Sequence, residues 1–233
     1  MIIDNKNVIA FLPCREGSKR ILNKNIKQFS SYKKGLVEIK LKQLLLIDKV
    51  SKIVISTNDR NIIDFANSLN EKKIFIDVRS EKLCDDQTST DSLIRYVSEL
   101  LENENILWTH VTSPFINNQI YDLIIEKYFE VLERGFDSLM TVTALKKFIW
   151  DIKGPINYDS GKEKWPRTQT LEPLYEINSA AFLAHKSIYK KFNNRVGQKP
   201  YLYEIDQLSS FDIDWQDDWI IAERILSEGI RSV

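Results

Sequence analysis

Five cations gather near the start of a chain that carries no net charge. The segment 13–20 reads PCREGSKR and follows an apolar run, and its only acid is Glu16. The cations of this segment and of the residues just after it are Arg15, Lys19, Arg20, Lys24 and Lys27. Because clustered like charges repel one another, we expect a bound anion, and loop N–H groups around Gly17 suit a phosphate. The segment matches neither common glycine-rich phosphate signature, and a basic loop facing only solvent is the alternative.

Two carboxylates lie two residues apart in FDIDWQDDW, residues 211–219. On extended chain this spacing puts Asp212 and Asp214 on one side of the backbone. Hard oxygen ligands of this kind suit Mg²⁺, which also takes phosphate oxygens and water. The alternative is that Asp214 caps the final helix, with Asp217 favouring its dipole.

Further polar side chains stand at the ends of predicted strands. LCDDQTSTDSL, residues 83–93, offers carboxylates and hydroxyls, although Ser89 or Thr90 is equally suited to cap the following helix. THVTSPF, residues 109–115, places Thr112 and Ser113 where they are able to face the same crevice. His110 is one of two histidines, and a lone histidine is more often structural than catalytic.

Alternating apolar and amphipathic stretches must position these residues. The predicted strands are 8–13, 52–56, 73–76, 106–111 and 138–143. Between them lie predicted helices at 37–46, 61–69, 90–101 and 119–134. This alternation indicates a parallel sheet with helices on both faces. In open sheets of this class ligands bind beyond the carboxyl ends of the strands, which is where the basic segment falls.

The alternation stops between residues 145 and 175. Turn residues and the aromatics Phe148, Trp150 and Trp165 fill this stretch, which is too long for an ordinary loop. It is interpreted as an arm that packs on a partner subunit or as a lid. A strand at 177–185, a helix from about 188, a strand at 201–206 and a helix from about 215 follow.

Composition limits the class of protein. The 233 residues fit one domain, 1–233, with an insertion at about 145–175. The balance of 33 basic and 33 acidic side chains argues against a nucleic-acid partner. Two cysteines predict neither a disulfide framework nor a zinc site, and a cytoplasmic location is expected. No stretch is typical of a signal peptide or a membrane span.

Six segments together resemble the acylneuraminate cytidylyltransferase family, the CMP-sialic acid and CMP-nonulosonate synthetases. They occur in the order of the family's signatures and span residues 8 to 226. The segments are PCREGSKRILNKN, VISTND, RSEKLCDDQTSTD, THVTSPF, PRTQTLEPLYEINSA and FDIDWQDDW. The resemblance implies a Rossmann-like, mostly parallel α/β sheet of the nucleotide-diphospho-sugar transferase type, flanked by helices, with a protruding dimerisation arm. It also implies transfer of CMP from CTP to the anomeric hydroxyl of a 3-deoxy-2-ulosonic acid, with release of pyrophosphate.

The resemblance also implies roles for individual residues. The residues expected to bind CTP are Arg15, Gly17, Ser18, Lys19, Lys24, Asn25, Asp86 and Ser89. Those expected to take part in catalysis are Arg15, Lys24, Asp212 and Asp214, with the two aspartates holding Mg²⁺. Those expected at the sugar are His110, Thr112, Ser113, Arg167, Gln169, Tyr175 and Asn178. In a homodimer, Arg167 and Gln169 would reach the neighbouring subunit's site.

Departures from the family pattern concentrate near the expected sugar. His110 and Val111 replace Gln-Pro, and Ser179 replaces a glycine, whereas in the nucleotide loop Arg20 replaces a glycine and Cys14 an alanine. These departures predict a nonulosonic acid other than N-acetylneuraminate.

Three alternatives remain at this stage. One is a synthetase for an eight-carbon acid such as KDO, which shares the chemistry and differs in the sugar pocket. Another is a GT-A-like glycosyltransferase that uses DID as its metal motif, although that motif usually lies nearer mid-chain. The last is a non-catalytic nucleotide-binding homologue.

Overall fold

Nine strands and six helices alternate along the part of the chain that the structure, a computed structural model, describes: residues 7–85, 87–102 and 104–233. The strands are β1 Val8–Pro13, β2 Val50–Thr57, β3 Ile74–Val78, β4 Asn105–Trp108, β5 Ser138–Leu145, β6 Trp150–Asp151, β7 Gly154–Pro155, β8 Leu174–His185 and β9 Pro200–Glu204. The helices are α1 Gly35–Leu45, α2 Arg60–Ser68, α3 Thr90–Leu100, α4 Asn118–Glu133, α5 Lys186–Phe192 and α6 Gln216–Ser227. Every predicted strand and helix is present.

Seven of the strands form one sheet in the order β3-β2-β1-β4-β8-β5-β9. The pairs of β1 with β2 and β4, of β2 with β3 and of β5 with β9 are parallel, and β8 runs antiparallel to both of its neighbours. The predicted mostly parallel sheet is therefore confirmed. Several strand bounds differ from the prediction by one or two residues, and two differ by three. The strand β4 ends at Trp108 instead of residue 111, and β8 begins at Leu174 instead of residue 177 because it pairs there with the end of β5.

Both faces of the sheet are covered, as the alternation of buried residues along β1 requires. Val8, Ala10 and Leu12 point into a core formed with α1, α2, α4 and α6. Ile9 and Phe11 point into a smaller core formed with α3 and α5. No helix in the described ranges is long and apolar enough to cross a bilayer.

Residues 14–34 connect β1 to α1 and carry the cationic segment. The backbone N–H of Cys14 donates to the Ser56 carbonyl at 2.9 Å, and the Thr57 hydroxyl donates to the Cys14 carbonyl at 2.6 Å. The N–H of Glu16 donates to Asn58 Oδ1 at 2.9 Å. These bonds fix the start of the loop to the carboxyl end of β2, so the cations that follow begin from a rigid base.

The segment between β5 and β8 contributes no strand to the main sheet. Leu145 pairs with Leu174, so the chain leaves and re-enters the sheet at one point. Between them β6 and β7 form a small hairpin, and the Phe148 ring packs edge-on against Tyr158 and Trp165. Trp165 is 70% exposed and Trp150 56% exposed. The segment between Leu145 and Leu174 therefore lies outside the main sheet and keeps large apolar side chains in solvent.

Gly35, at the start of α1, tests how tightly this loop is packed. We expect Gly35→Ala to cost about 3 kcal/mol or more, because a Cβ there would lie 2.0 Å from the Lys27 carbonyl oxygen and φ is +62°. The matched control is Gly135→Ala, with φ +84° and no atom within 4 Å of the added carbon. It should lose only about 1 kcal/mol. Urea denaturation of both variants measures the difference, and equal losses would contradict the prediction.

Candidate active site

Two clefts adjoin at the carboxyl edge of the sheet. The first has a volume of about 300 Å³ and lies in the loop after β1. It is lined by Arg15, Ser18, Lys19, Arg20, Lys24 and Asn25. Four of these six residues are cations and none is an acid, so this cleft suits an anion. Six of the eight residues expected from the resemblance to bind CTP lie in this loop.

The second cleft has a volume of about 390 Å³ and lies between β8 and the loop after β9. It is lined by Thr143, Glu176, Ile177, Asn178, Ser179, Ser210, Asp212 and Asp214. Three of these residues are acids, and none of the described residues that line it is a cation. Asp214 joins the two clefts, because it also contacts Arg20 and Lys24 of the first cleft.

Lys24 links the cationic loop to the paired carboxylates. Its Nζ donates to the Ile213 carbonyl at 2.7 Å and to Asp214 Oδ1 at 3.3 Å. Only 8% of Lys24 is exposed, so this lysine is a buried cation and not part of a loop that faces only solvent. The physical reason is that its ammonium group is satisfied by two acceptors of a distant segment, the Ile213 carbonyl and Asp214 Oδ1. Lys24 therefore holds the first cleft against the second.

The carboxylate of Asp214 does not cap α6. The cap belongs to Asp218, whose Oδ2 accepts from the N–H groups of Trp215 at 2.7 Å and of Asp214 at 3.0 Å. Asp214 Oδ1 faces the cations instead, with Arg20 at 2.9 Å. The capping alternative for Asp214 is therefore wrong, because a carboxylate one turn into the helix already satisfies the N–H groups there.

Asp212 meets one requirement of a metal ligand. Its Oδ1 is buried and has no hydrogen-bond partner. Burial raises the pKa of this carboxyl, while a bond with the Thr112 side chain and the charge of Lys24 oppose that rise. No group of three or more metal-ligating side chains occurs in the described ranges. Two carboxylates nevertheless suffice for Mg²⁺ when phosphates and water complete its shell, so Asp212 and Asp214 fit this ion.

Arg15 and Asn25 brace the floor of the first cleft. Asn25 Nδ2 donates to the Arg15 carbonyl at 3.0 Å, and the Arg15 guanidinium donates to the Cys84 carbonyl at 3.3 Å. Gly17 has a φ of +83°, the left-handed region that glycine adopts freely. Ser89 accepts from the N–H of Ser92 and caps α3, as its structural alternative predicted. Asp86 lies outside the described residues.

His110 does not offer a ring nitrogen to a ligand. Its Nε2 accepts from Trp108 Nε1 at 3.1 Å, and its Nδ1 donates to the Ser179 carbonyl at 2.9 Å. Trp108 is only a donor and a carbonyl is only an acceptor, so the ring is neutral and both nitrogens are used. The expected contact between His110 and a sugar is corrected accordingly. His110 instead shapes the second cleft through the backbone of Ser179.

Ser179 sits at an irregularity in β8. Residues 178–181 stand opposite the single residue Thr141, whose hydroxyl bonds with the backbone of Ala181. Ser179 has a φ of 58°, which explains why glycine suits this position in the family. Beside it, Asn178 lines the cleft and donates to Thr143 Oγ1 at 3.0 Å.

Ser113 was expected to face the sugar. It is fully buried instead, so its side chain is not open to a ligand. Its carbonyl accepts from Lys40 Nζ at 2.9 Å, and the same amine donates to Tyr121 Oη at 2.9 Å. Burial lowers the pKa of Lys40 well below its usual value. The sequence reading missed Lys40, although a lysine on the apolar face of α1 between Leu36 and Leu44 was a detectable anomaly.

The remaining expected sugar residues divide between the cleft and the insertion. The Thr112 carbonyl accepts from the N–H of Ile213 at 2.8 Å, which holds the paired carboxylates beside β4. Arg167, Gln169 and Tyr175 are exposed and are not among the residues that line either cleft. The prediction that Arg167 and Gln169 act on a neighbouring subunit stays a prediction.

Comparison with solved structures defines the class of fold. The crystal structure of a CMP:2-keto-3-deoxy-manno-octonic acid synthetase complexed with CTP superposes with a TM-score of 0.67 at 10% identity, covering 96% of this chain and 99% of that one. At this identity the likeness concerns the fold alone. The protein thus shares the α/β fold of this synthetase.

The sequence comparisons define the family. The family model described as cytidylyltransferase matches residues 9–225, so the chain belongs to this family. The pseudaminic acid cytidylyltransferase of Campylobacter jejuni is 31% identical over 127 residues, 52% of this chain and 53% of that protein. The N-acylneuraminate cytidylyltransferase of Escherichia coli is 26% identical over 222 residues, 92% of this chain and 51% of that protein. The chain therefore spans about half the length of these two curated relatives.

The half-buried His110, with both ring nitrogens bonded, predicts a pH dependence of stability. Burial, and secondarily the charge of Arg195, lower the pKa of His110 to about 4 in the folded state. The unfolded chain binds this proton first, so stability present above about pH 6.5 is lost as the pH falls to about 4. The full loss is about 3 kcal/mol. His110→Gln keeps a donor and an acceptor and should remove this component in urea denaturation between pH 7 and 4.5. Parallel profiles for the two proteins would refute it.

Proposed function

We propose that the protein transfers CMP from CTP to the anomeric hydroxyl of a nonulosonic acid and releases pyrophosphate. One observation carries the proposal: a cleft lined mostly by cations and a cleft lined by acids, hydroxyls and one amide meet at Asp214. A nucleoside triphosphate fits the first cleft by charge. A polyhydroxylated sugar fits the second, whose side chains offer many hydrogen-bond acceptors. The α-phosphate and the attacking hydroxyl would then meet at the boundary.

The residues of the first cleft supply what nucleotidyl transfer needs most. Charge builds up on the α-phosphate and on the departing pyrophosphate, and fixed cations stabilise it without reorganising at the moment of reaction. Arg15 is held by the Cys84 carbonyl and Lys24 by the Ile213 carbonyl, so both are positioned in advance. Exposed Lys19 and Arg20 are placed to take the outer phosphates.

Asp212 and Asp214 would hold a magnesium ion at the boundary between the clefts. Such an ion neutralises phosphate charge and acidifies a hydroxyl bound to it. The partnerless Oδ1 of Asp212 is the oxygen available for this purpose. Thr112 orients that carboxylate, and Lys24 fixes the neighbouring one through Asp214 Oδ1.

The acidic second cleft supports an assembly of two subunits. A nonulosonic acid carries a carboxylate, which Glu176, Asp212 and Asp214 would repel. The site therefore needs cations from elsewhere, and the exposed insertion carries Lys164 and Arg167. Its exposed aromatic side chains are typical of an interface. A homodimer in which each insertion supplies Arg167 to its neighbour meets both requirements.

A panel of acceptors tests the function. We expect CTP-dependent pyrophosphate release with pseudaminate or legionaminate and slow release with N-acetylneuraminate and KDO. The reason is that His110 bonds to the backbone of Ser179 and does not line the cleft, whereas the side chain of Ser179 does line it. Fastest release with KDO would favour the eight-carbon alternative, and clear preference for N-acetylneuraminate would contradict the reading of the cleft. Consumption of a sugar nucleotide without use of CTP would indicate a glycosyltransferase, and binding without turnover a non-catalytic homologue.

The metal pair is tested with matched carboxylates. Asp212→Asn should lower the Mg²⁺-dependent rate about a hundredfold, because a fixed charge at the reacting phosphate is lost. Asp217→Asn removes the same charge from the exposed first turn of α6 and should leave the rate unchanged. Thermal melts confirm that both variants fold. Equal rates for the two variants would remove Asp212 from the metal site.

Mixing two inactive variants tests the dimer. Lys24→Met should disable the subunit's own cleft, and Arg167→Ala should disable the neighbour's. The two proteins are mixed in equal amounts, unfolded together and refolded. About a quarter of the sites in the resulting dimers then contain both intact residues. Recovery of about a quarter of the activity, together with a dimer by light scattering, is the expected result. No recovery, or a monomer at micromolar concentration, would refute the exchange of Arg167.

A further inference from the structure

Arg20 holds a position that its place in a phosphate loop does not explain. Its guanidinium reaches Asp214 Oδ1 at 2.9 Å, the same oxygen that Lys24 contacts at 3.3 Å. It also lies over the Trp215 ring, 5.1 Å from the ring centroid. One carboxylate oxygen of the predicted metal pair is therefore shared by two cations.

The two cations differ in how firmly they are held. The Lys24 side chain is 9% exposed and also donates to the Ile213 carbonyl. Movement of Lys24 away from Asp214 would therefore break a buried hydrogen bond. The Arg20 side chain is 45% exposed and the Asp214 side chain 42% exposed. An ion pair so open to water contributes little net free energy. Arg20 is therefore the partner that exchanges readily.

The surroundings offer Arg20 a second partner. It lines the first cleft together with Arg15 and Lys19, which are placed for phosphates. A guanidinium binds phosphate oxygens through two parallel hydrogen bonds, whereas the ion pair of Arg20 with Asp214 is open to water. If a metal ion takes Asp214, the guanidinium loses its carboxylate at the moment when phosphate charge arrives beside it.

We propose that Arg20 is a phosphate-binding residue that neutralises Asp214 until Mg²⁺ and CTP bind, and that it then exchanges this carboxylate for the triphosphate. The inference rests on the proposed function and assigns a role to a residue outside the family pattern. The inference requires that Arg20 weakens the binding of the metal ion and strengthens the binding of CTP. A residue with a merely structural role would not produce these opposite effects.

Trp215 provides a built-in readout. The guanidinium over its indole is a charge close to the fluorophore, so departure of Arg20 should change the emission of Trp215. Trp215→Phe identifies this contribution among the five tryptophans.

The experiment compares Arg20→Gln with Lys27→Gln. Lys27 is an exposed cation of the same loop that lies over Trp219 at 4.8 Å and does not line the first cleft, so it is the charge-matched control. Calorimetry measures CTP binding with excess Mg²⁺ and no acceptor, and Mn²⁺ spin resonance measures metal binding without nucleotide. Arg20→Gln should weaken CTP binding roughly tenfold, as loss of a charged hydrogen bond predicts. It should tighten Mn²⁺ binding roughly fivefold by removing a nearby positive charge.

Wild type should show a change in Trp215 emission on addition of Mg²⁺ and CTP, and Arg20→Gln should not. Unchanged affinities in Arg20→Gln, equal shifts in Lys27→Gln, or an emission change that persists without Arg20 would overturn the inference alone. Binding that depends on Arg20 without pyrophosphate release from any acceptor would overturn the proposed function alone. A wild type that binds neither CTP nor inorganic pyrophosphate would overturn both.

Discussion

The site depends on the bonds that Lys24 makes to Ile213 and Asp214. These bonds join residues that are far apart in the sequence, with separations of 189 and 190 positions. Lys24 lies in the loop after β1, and Ile213 and Asp214 lie in the loop after β9. The basic and acidic clefts are contiguous because this buried ammonium group satisfies both segments. Thr112 adds a third segment through its carbonyl and side chain. Loss of the central cation would leave a buried carbonyl unpaired, so the proposed chemistry and the local stability depend on one atom.

Charge is sorted by cleft although it balances over the chain. Cations line the space suited to phosphates, and carboxylates line the space suited to hydroxyls and amides. This arrangement would orient the two proposed substrates before any specific contact forms, because a triphosphate would be repelled from the second cleft and attracted to the first. The described residues that line the second cleft include carboxylates and no cation, so a carboxylated sugar would require cations from outside it.

The fold was largely predictable, and the site only in part. Apolar periodicity located each α-helix and each strand of the main sheet, but not β6 and β7, because burial on two faces of a sheet imposes that pattern. The spacing of Asp212 and Asp214 was informative, but the capping role of Asp218 and the shared contact of Asp214 depend on the packing of distant segments. His110 was misread because a sequence shows residue type without showing that Trp108 and Ser179 occupy both ring nitrogens.

The insertion leaves and rejoins the sheet at a single point. The constraints on its own length and sequence are therefore separate from the constraints on the geometry of the sheet. Leu145 and Leu174 pair across β5 and β8, so the chain between them closes a loop whose entropy changes only slowly with its length. Residues can be added, removed or replaced beyond that pair without altering the register of the sheet. The exposed surface of the insertion can therefore change in length and sequence while the first cleft, in the loop after β1, keeps its geometry.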